Sequence, residues 1–158
     1  MDTFTLNKLG QVRADGDGFR VELLPELAPA LTGLEGFGWV QVLWWFDGCD
    51  SPASRRKLTE SKPYVKGPEL LGVFATRAPE RPNPIAVSTA YVTYLDLENG
   101  VVGLAYIDAA DGSPVLDIKP YTPSLDRVEE PEVPDWCAHW PKNVEQSGDF
   151  DWECEFNF

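Results

Sequence analysis

The chain has 158 residues, 43% of them hydrophobic and 25% charged, a balance that fits one globular domain with a real core. No apolar run approaches the ~20 residues of a membrane span, and the opening MDTFTLNKLG lacks a basic start followed by an apolar stretch, so a cytoplasmic protein with no membrane contact is expected. The net charge of −13 repels nucleic acid at long range, so any such partner would have to meet a local basic region.

Strand signals dominate from the start. The turn cluster DGDG followed by the alternation of FRVEL (Phe19 to Leu23) predicts an opening hairpin. Leu27, Leu31 and Leu34 recur at helical spacing, with Pro25 placed to start a short helix and Gly33 to end it. WVQVLWWF, Trp39 to Phe46, is a β-branched and aromatic run suited to a buried strand. PIAVSTAYVTYLDL predicts a long strand, Asn99-Gly100 its hairpin turn and VVGLAYI the answering strand. DGSPVLDI adds a turn and one more short strand.

Several strands joined by turns, one short helical segment and no βαβ alternation predict an all-β fold, a compact single-domain β-barrel or sandwich over residues 1–125. Residues 126–158 form an acidic extension that carries Trp136, Trp140, Phe150, Trp152, Phe156 and Phe158. Disordered segments are poor in aromatics, so an irregular strap is expected, packed on the barrel or on a neighbouring subunit.

The charge is unevenly spread. Residues 126–158 carry a net −8, whereas residues 55–81 carry seven bases against three acids, a net +4. Such a basic stretch reads either as a solvated surface or as a docking face for an anion. The three cysteines, Cys49, Cys137 and Cys154, have no CxxC spacing and are expected as reduced thiols. The single histidine, His139, has no ligand spacing around it and reads as a surface or packing residue, so no metal is expected.

Within the basic stretch lies GVFATRAPERPNPIAVS, Gly72 to Ser88. Pro79, Pro82 and Pro84 fix their own φ and hold Ala78, Arg81 and Asn83 extended. Arg77, Arg81 and Asn83 therefore project from a support that is stiff before any ligand arrives, which lowers the ordering cost of binding. Arginine suits a carboxylate or phosphate; equally, the loop reads as a stiff connector whose arginines pair with nearby acids. A second unusual segment, YIDAADGSPVLDIKPYTP from Tyr106 to Pro123, places Asp108, Asp111 and Asp117 near Lys119 and Tyr121. These read either as turn chemistry, with Asp117 pairing Lys119 or a backbone amide, or as groups that orient a substrate or move a proton.

Together these two segments resemble the TsaA-like (TrmO-like) methyltransferase family. Its hallmarks are a strand ending FATRSP, then RPNPIG, then a segment like DGTPVLDIKPY. The resemblance extends over roughly residues 4 to 125. It implies a β-barrel that binds S-adenosylmethionine, works as a homodimer with the cofactor near the subunit interface, and methylates N6 of threonylcarbamoyladenosine in a tRNA anticodon loop. By the same resemblance Asp47, Gly48, Arg77, Val87, Ile107, Asp108, Ala109 and Ala110 meet the cofactor. Arg81, Asn83, Lys119 and Tyr121 occupy motif positions assigned to substrate or to loop architecture. Ala78 stands where the motif has serine, Ala86 where it has glycine, and Asp47 where many relatives have histidine. The proline-arginine-glutamine loop of longer relatives has no counterpart in RADGDGFR.

Methyl transfer from a sulfonium is an in-line displacement that depends mainly on positioning. Arg77 suits the cofactor carboxylate, and Trp44 and Trp45 are either an apolar wall or simply core. Asp108, Asp117 and Tyr121 are open alternatives for accepting the acceptor's proton, so no catalytic residue is assigned. The alternatives to tRNA methylation are methyl transfer to a small-molecule or other non-tRNA acceptor, and a non-catalytic, dimeric cofactor-binding module.

Overall fold

In the computed structural model, residues 2–157 are described; Phe158 of the aromatic tail lies outside them. Eight strands follow in chain order: β1 (Gly10–Asp15), β2 (Gly18–Leu23), β3 (Trp39–Trp45), β4 (Thr59–Ser61), β5 (Leu70–Gly72), β6 (Ile85–Asp96), β7 (Val101–Leu104) and β8 (Pro114–Pro120). Six of them close a barrel in the order β1-β2-β7-β6-β3-β8, and β4 and β5 pair outside it. Every pairing is antiparallel.

The expected alternation is what fills the barrel. Along β3, Val40, Val42 and Trp44 are buried while Trp39, Gln41, Leu43 and Trp45 are half-buried. Val12, Val21, Val102 and Val115 complete an interior of compact β-branched side chains, joined by Ala86, Ala90, Leu104 and Ile107. Stiff, pleat-compatible valines pack well in so small a barrel. Gly103 is required where β6 bulges opposite β7, because a Cβ there would lie 2.1 Å from the Tyr94 ring.

The opening hairpin, the long strand and the Asn99-Gly100 turn form as their residues predict, with Gly100 at φ +70°. Three features differ from expectation. The answering strand ends at Leu104 rather than running on to Ile107, because the chain leaves β6 after Ala105 N–H donates to Tyr91 O (2.9 Å) and turns Ile107 into the core. The short helix is a 3-10 segment, Pro25–Leu31, with Pro29 inside it; a proline withholds the N–H an α-helix would use there. It is also one of several, since single 3-10 turns recur and two one-turn α-helices, α1 (Pro123–Asp126) and α2 (Val144–Ser147), lie beyond β8.

Strand directions sort the loops into two groups. One barrel end gathers the β1–β2 turn, the turn after β3, Pro84 before β6 and the 105–113 segment between β7 and β8. The other gathers the 3-10 segment, the start of β3, the β6–β7 turn and the end of β8.

The tail builds its own core. Trp136, Trp140, Trp152, Phe150 and Phe156 contact one another in a chain of ring pairs 4.8–5.9 Å apart that also takes in Tyr64. Main-chain bonds fix it to segment 62–67: Val65 N–H donates to Glu155 O (3.0 Å) and Asn157 N–H to Pro63 O (3.1 Å). Glu155 is buried beneath the rings, accepting from Trp140 Nε1 (3.0 Å) and lying 2.7 Å from His139 Nε2.

Candidate functional site

The proline-rich loop is anchored along its length. Val73–Ala75 makes one 3-10 turn, and Thr76 Oγ1 donates to Val73 O while accepting from Ala78 N–H. Arg81 folds inward and donates to the carbonyls of Val73 (2.5 Å) and Thr76 (2.7 Å). Glu80 accepts from Ser54 Oγ (2.9 Å) and Lys57 Nζ (2.8 Å), and Lys57 holds its carboxyl below the usual range. Pro84 is fully buried, and its carbonyl accepts from Phe46 N–H (2.9 Å), tying the loop to the end of β3. Among the described residues neither Arg77 nor Arg81 pairs with an acid, as a simple connector would have them do. Arg81 is a staple made of backbone bonds.

Arg77 is placed differently. It is exposed, and one guanidinium nitrogen donates to Val87 O at 2.6 Å. That carbonyl points away from β3, because in antiparallel pairing alternate residues of β6 face alternate sides. On this side β7 pairs only from Val92 onward. Between Ile85 and Thr89 the second edge of β6 has no strand partner among the described residues. Arg77 covers one carbonyl of that open edge and keeps its remaining N–H donors toward solvent.

The other candidates fall on both ends of the barrel. Asp47 and Gly48 form an exposed turn just after β3, with Gly48 at φ +77° and Cys49 N–H closing onto Phe46 O (3.2 Å). In the 105–113 segment Ile107 is buried, Asp108 and Ala110 are exposed and Ala109 is half-buried. This segment is held by Asp111, which accepts from Ala14 N–H (3.1 Å) and lies 3.4 Å from Arg13. Val87 is near the start of β6 at the same end, and Asn83 is exposed beside it, its carbonyl accepting from Ile85 N–H. Lys119 and Tyr121 lie toward the opposite end, Lys119 across from Gln41 and Tyr121 N–H bonded to Trp39 O. Lys119 Nζ pairs with Asp117 at 2.6 Å, and Asp117 also accepts from Ile118 N–H. Trp44 is core, its Nε1 donating to Ser88 Oγ (2.9 Å).

Three of the seven bases of the basic stretch, its lysines, are neutralised locally. Lys57 meets Glu60 and Glu80, Lys62 meets Glu69, and Lys66 lies 3.9 Å from Glu155. With Arg81 turned inward, Arg55, Arg56 and Arg77 are the cations of the stretch with no acid within bonding distance among the described residues. Arg55 lies over the Trp45 ring, 5.3 Å from its centroid. Among the described residues no group of three His, Cys, Asp or Glu side chains is arranged to hold a metal ion, and no helix is long and apolar enough to cross a membrane.

Tyr64 is the residue that sequence reasoning passes over. It is buried against the tail's rings, and that burial raises its pKa. Its ring stacks on Trp136 with centroids 5.1 Å apart. The available signal was a lone aromatic in a polar, basic stretch, SKPYVKG.

Residues 10–127 match the family described as the tRNA-methyltransferase O N-terminal domain. An S-adenosyl-L-methionine-binding protein of Archaeoglobus fulgidus is 39% identical over 112 residues, covering 71% of this chain and 75% of its own. A Pyrococcus horikoshii protein named "Probable S-adenosyl-L-methionine-binding protein" is 36% identical over 132 residues, 82% of this chain and 90% of its own. Among solved structures, one of TrmO superposes with a TM-score of 0.65 at 31% identity over 84% of this chain. One of TrmO from Pseudomonas aeruginosa gives 0.63, also at 31% identity, over 83% of it. The chain spans 64% and 62% of those two longer chains.

Proposed function

The chain belongs to the tRNA-methyltransferase O N-terminal domain family and is an S-adenosylmethionine-dependent methyltransferase; we propose that its acceptor is N6 of threonylcarbamoyladenosine in a tRNA anticodon loop and that it works in the cytoplasm. The observation that carries the reading is the exposed Arg77 guanidinium on the open edge of β6, within the family's own motif.

The residues at this barrel end fit the group they would hold. S-adenosylmethionine presents a carboxylate, an ammonium, an adenine and an electrophilic methyl. Arg77 supplies free donors for the carboxylate beside Val87. The exposed carboxylate of Asp47 suits the ammonium or the positive sulfur, and the main chain from Ile107 to Ala110 suits the adenine edge. When bound, the cofactor supplies the methyl group; the chain's part is to hold it in line with the acceptor and to exclude water. Of the three proton acceptors weighed from the sequence, Asp117 is engaged by Lys119 and Tyr121 lies toward the opposite end. Asp108 is exposed at the cofactor end and takes the N6 proton in this reading. Arg81 and Asn83 act as loop architecture, whereas Lys119 and Tyr121 serve an acceptor only from a second subunit or a long substrate.

A homodimer is part of the proposal. Leu58, Leu70 and Phe74 crowd the β4–β5 side of the loop, with Phe74 84% exposed, and Val87 and Tyr91 add apolar area on β6. A second copy covering this face would shield the cofactor near the interface. Labelled cofactor incubated with threonylcarbamoylated tRNA tests the acceptor: label on N6 is expected, and no transfer by folded protein that binds cofactor overturns it. The local neutralisation of the stretch's three lysines, in a chain of net charge −13, favours one second reading, a non-tRNA acceptor. Strongly salt-dependent tRNA binding, the sign of counterion release, would count against that second reading.

A further inference from the structure

We propose that the 3-10 turn Ser54–Arg56 is the contact point for the acceptor's phosphate backbone: Arg55, backed by the Trp45 ring, and Arg56 take neighbouring phosphates of the RNA at the cofactor end of the barrel. The proposal rests on the reading that the acceptor is a tRNA.

The turn is built onto the proline-rich loop. Ser54 is buried; its N–H donates to Ser51 Oγ (3.1 Å) and its hydroxyl to Glu80 (2.9 Å), while Arg55 N–H donates to Ser51 O (3.0 Å). Lys57, next in the chain, donates to the same Glu80 carboxylate at 2.8 Å. Beneath the turn lies Trp45, the last residue of β3, paired with Ile85 at the end of the barrel where Asp47, Gly48 and the 105–113 segment gather. Val42 and Trp44 face the interior, so Trp45 faces outward, and the Arg55 guanidinium lies over it, 5.3 Å from the ring centroid. The turn therefore stands on the outer wall of the barrel with both arginines exposed.

Charge is the second observation. The three lysines of the stretch each face a carboxylate, and Arg81 is turned to carbonyls. Among the described residues Arg55 and Arg56 have no acid within ion-pair distance; Asp50 accepts from Trp45 Nε1 instead (3.4 Å). In a chain of net charge −13, two adjacent unneutralised cations are where a polyanion meets local attraction. The ring contact does not neutralise Arg55. It restrains a long side chain, which lowers the ordering cost of binding, and leaves the guanidinium's N–H donors for an anion. Successive residues of a 3-10 turn point about 120° apart. Arg55 and Arg56 therefore diverge, which suits two phosphates of one strand and not a single small anion.

The test uses the full chain. Binding of threonylcarbamoylated tRNA is followed by fluorescence anisotropy from about 50 to 200 mM salt, with S-adenosylmethionine affinity and Tm measured in parallel. Arg55→Gln and Arg56→Gln should each raise the tRNA Kd roughly three- to tenfold and flatten the slope of log affinity against log salt by about 0.7–0.9. Cofactor Kd and Tm should stay close to wild type, which separates a phosphate contact from a structural role. Arg127→Gln removes one positive charge beyond the end of β8 and should leave the tRNA Kd and slope near wild type. Wild-type Kd and slope in the Arg55→Gln, Arg56→Gln double variant, or losses no larger than in Arg127→Gln, overturn the proposal. If the wild type itself shows no salt-dependent tRNA binding, the tRNA reading fails, and the proposal fails with it for that separate reason.

Discussion

The barrel and the tail keep water out in opposite ways. Inside the barrel six valines, Val12, Val21, Val40, Val42, Val102 and Val115, are fully buried on paired strands whose main-chain bonds run from neighbour to neighbour. In the tail the elements are single turns, and large rings stacked edge to face do the burying around one carboxylate, Glu155. A regular sheet can bury small side chains because its backbone is already satisfied. Short turns leave more polar backbone to water and need large apolar surfaces to hold them. The proline-rich loop is stapled to itself by Arg81.

The largest effect should come from the barrel. Trp44→Ala removes a buried ring that touches Phe46 edge-on and donates to Ser88, so it should cost about 3–5 kcal/mol and unfold strands and loop together. Denaturant melting would check this, and separate transitions for barrel and loop would break the contrast. Next comes Arg81→Leu, which leaves the Val73 and Thr76 carbonyls without their charged donor and should cost about 1.5–3 kcal/mol. Hydrogen exchange should show the loss confined to residues around 73–81, with the valine core still protected.

Acid separates the two regions most gently. His139 first, then Trp140, hold the Glu155 carboxyl below its ordinary value. The stability this gives the tail is complete above the usual carboxylate range and is lost as pH falls through the lowered value. Tryptophan fluorescence from Trp136, Trp140 and Trp152 should therefore change on acidification, and Glu155→Gln should flatten that response. The barrel has its own acid sensitivity at Asp15 and Glu22, which Arg20 and Arg13 hold low on the β1–β2 hairpin. Circular dichroism of the strands should follow these groups and stay the same in Glu155→Gln.

The same contrast decides what the sequence made legible. Strands such as FRVEL and WVQVLWWF announce themselves because burial on one face imposes a period of two on the residues themselves. β4 and β5 are three residues each, too short for any period to mark them in the sequence. The tail's rings were legible as packing material, but their partner Tyr64 is about 70–90 residues away and carries no local pattern. At the site, the prolines signalled a rigid loop, and the motifs signalled its family. What composition could not show is that two arginines four residues apart have opposite tasks. Arg81 turns inward to carbonyls and Arg77 stays outward, a difference made by the fold's open β6 edge. Nor could it show that Lys119 and Tyr121 lie toward the other barrel end from Asp108, since that follows from strand direction.

Placement of the methyl donor at the Arg77 end of the barrel is open to one direct measurement: S-adenosylmethionine affinity, by calorimetry, in wild type, Arg77→Ala and Lys119→Ala. Loss of a charge-assisted hydrogen bond should weaken Arg77→Ala by about 1.5–3 kcal/mol, roughly ten- to 150-fold in Kd. Lys119→Ala, altered toward the opposite end, should bind the cofactor as wild type does. Unchanged affinity in Arg77→Ala, or a loss confined to Lys119→Ala, would contradict the placement.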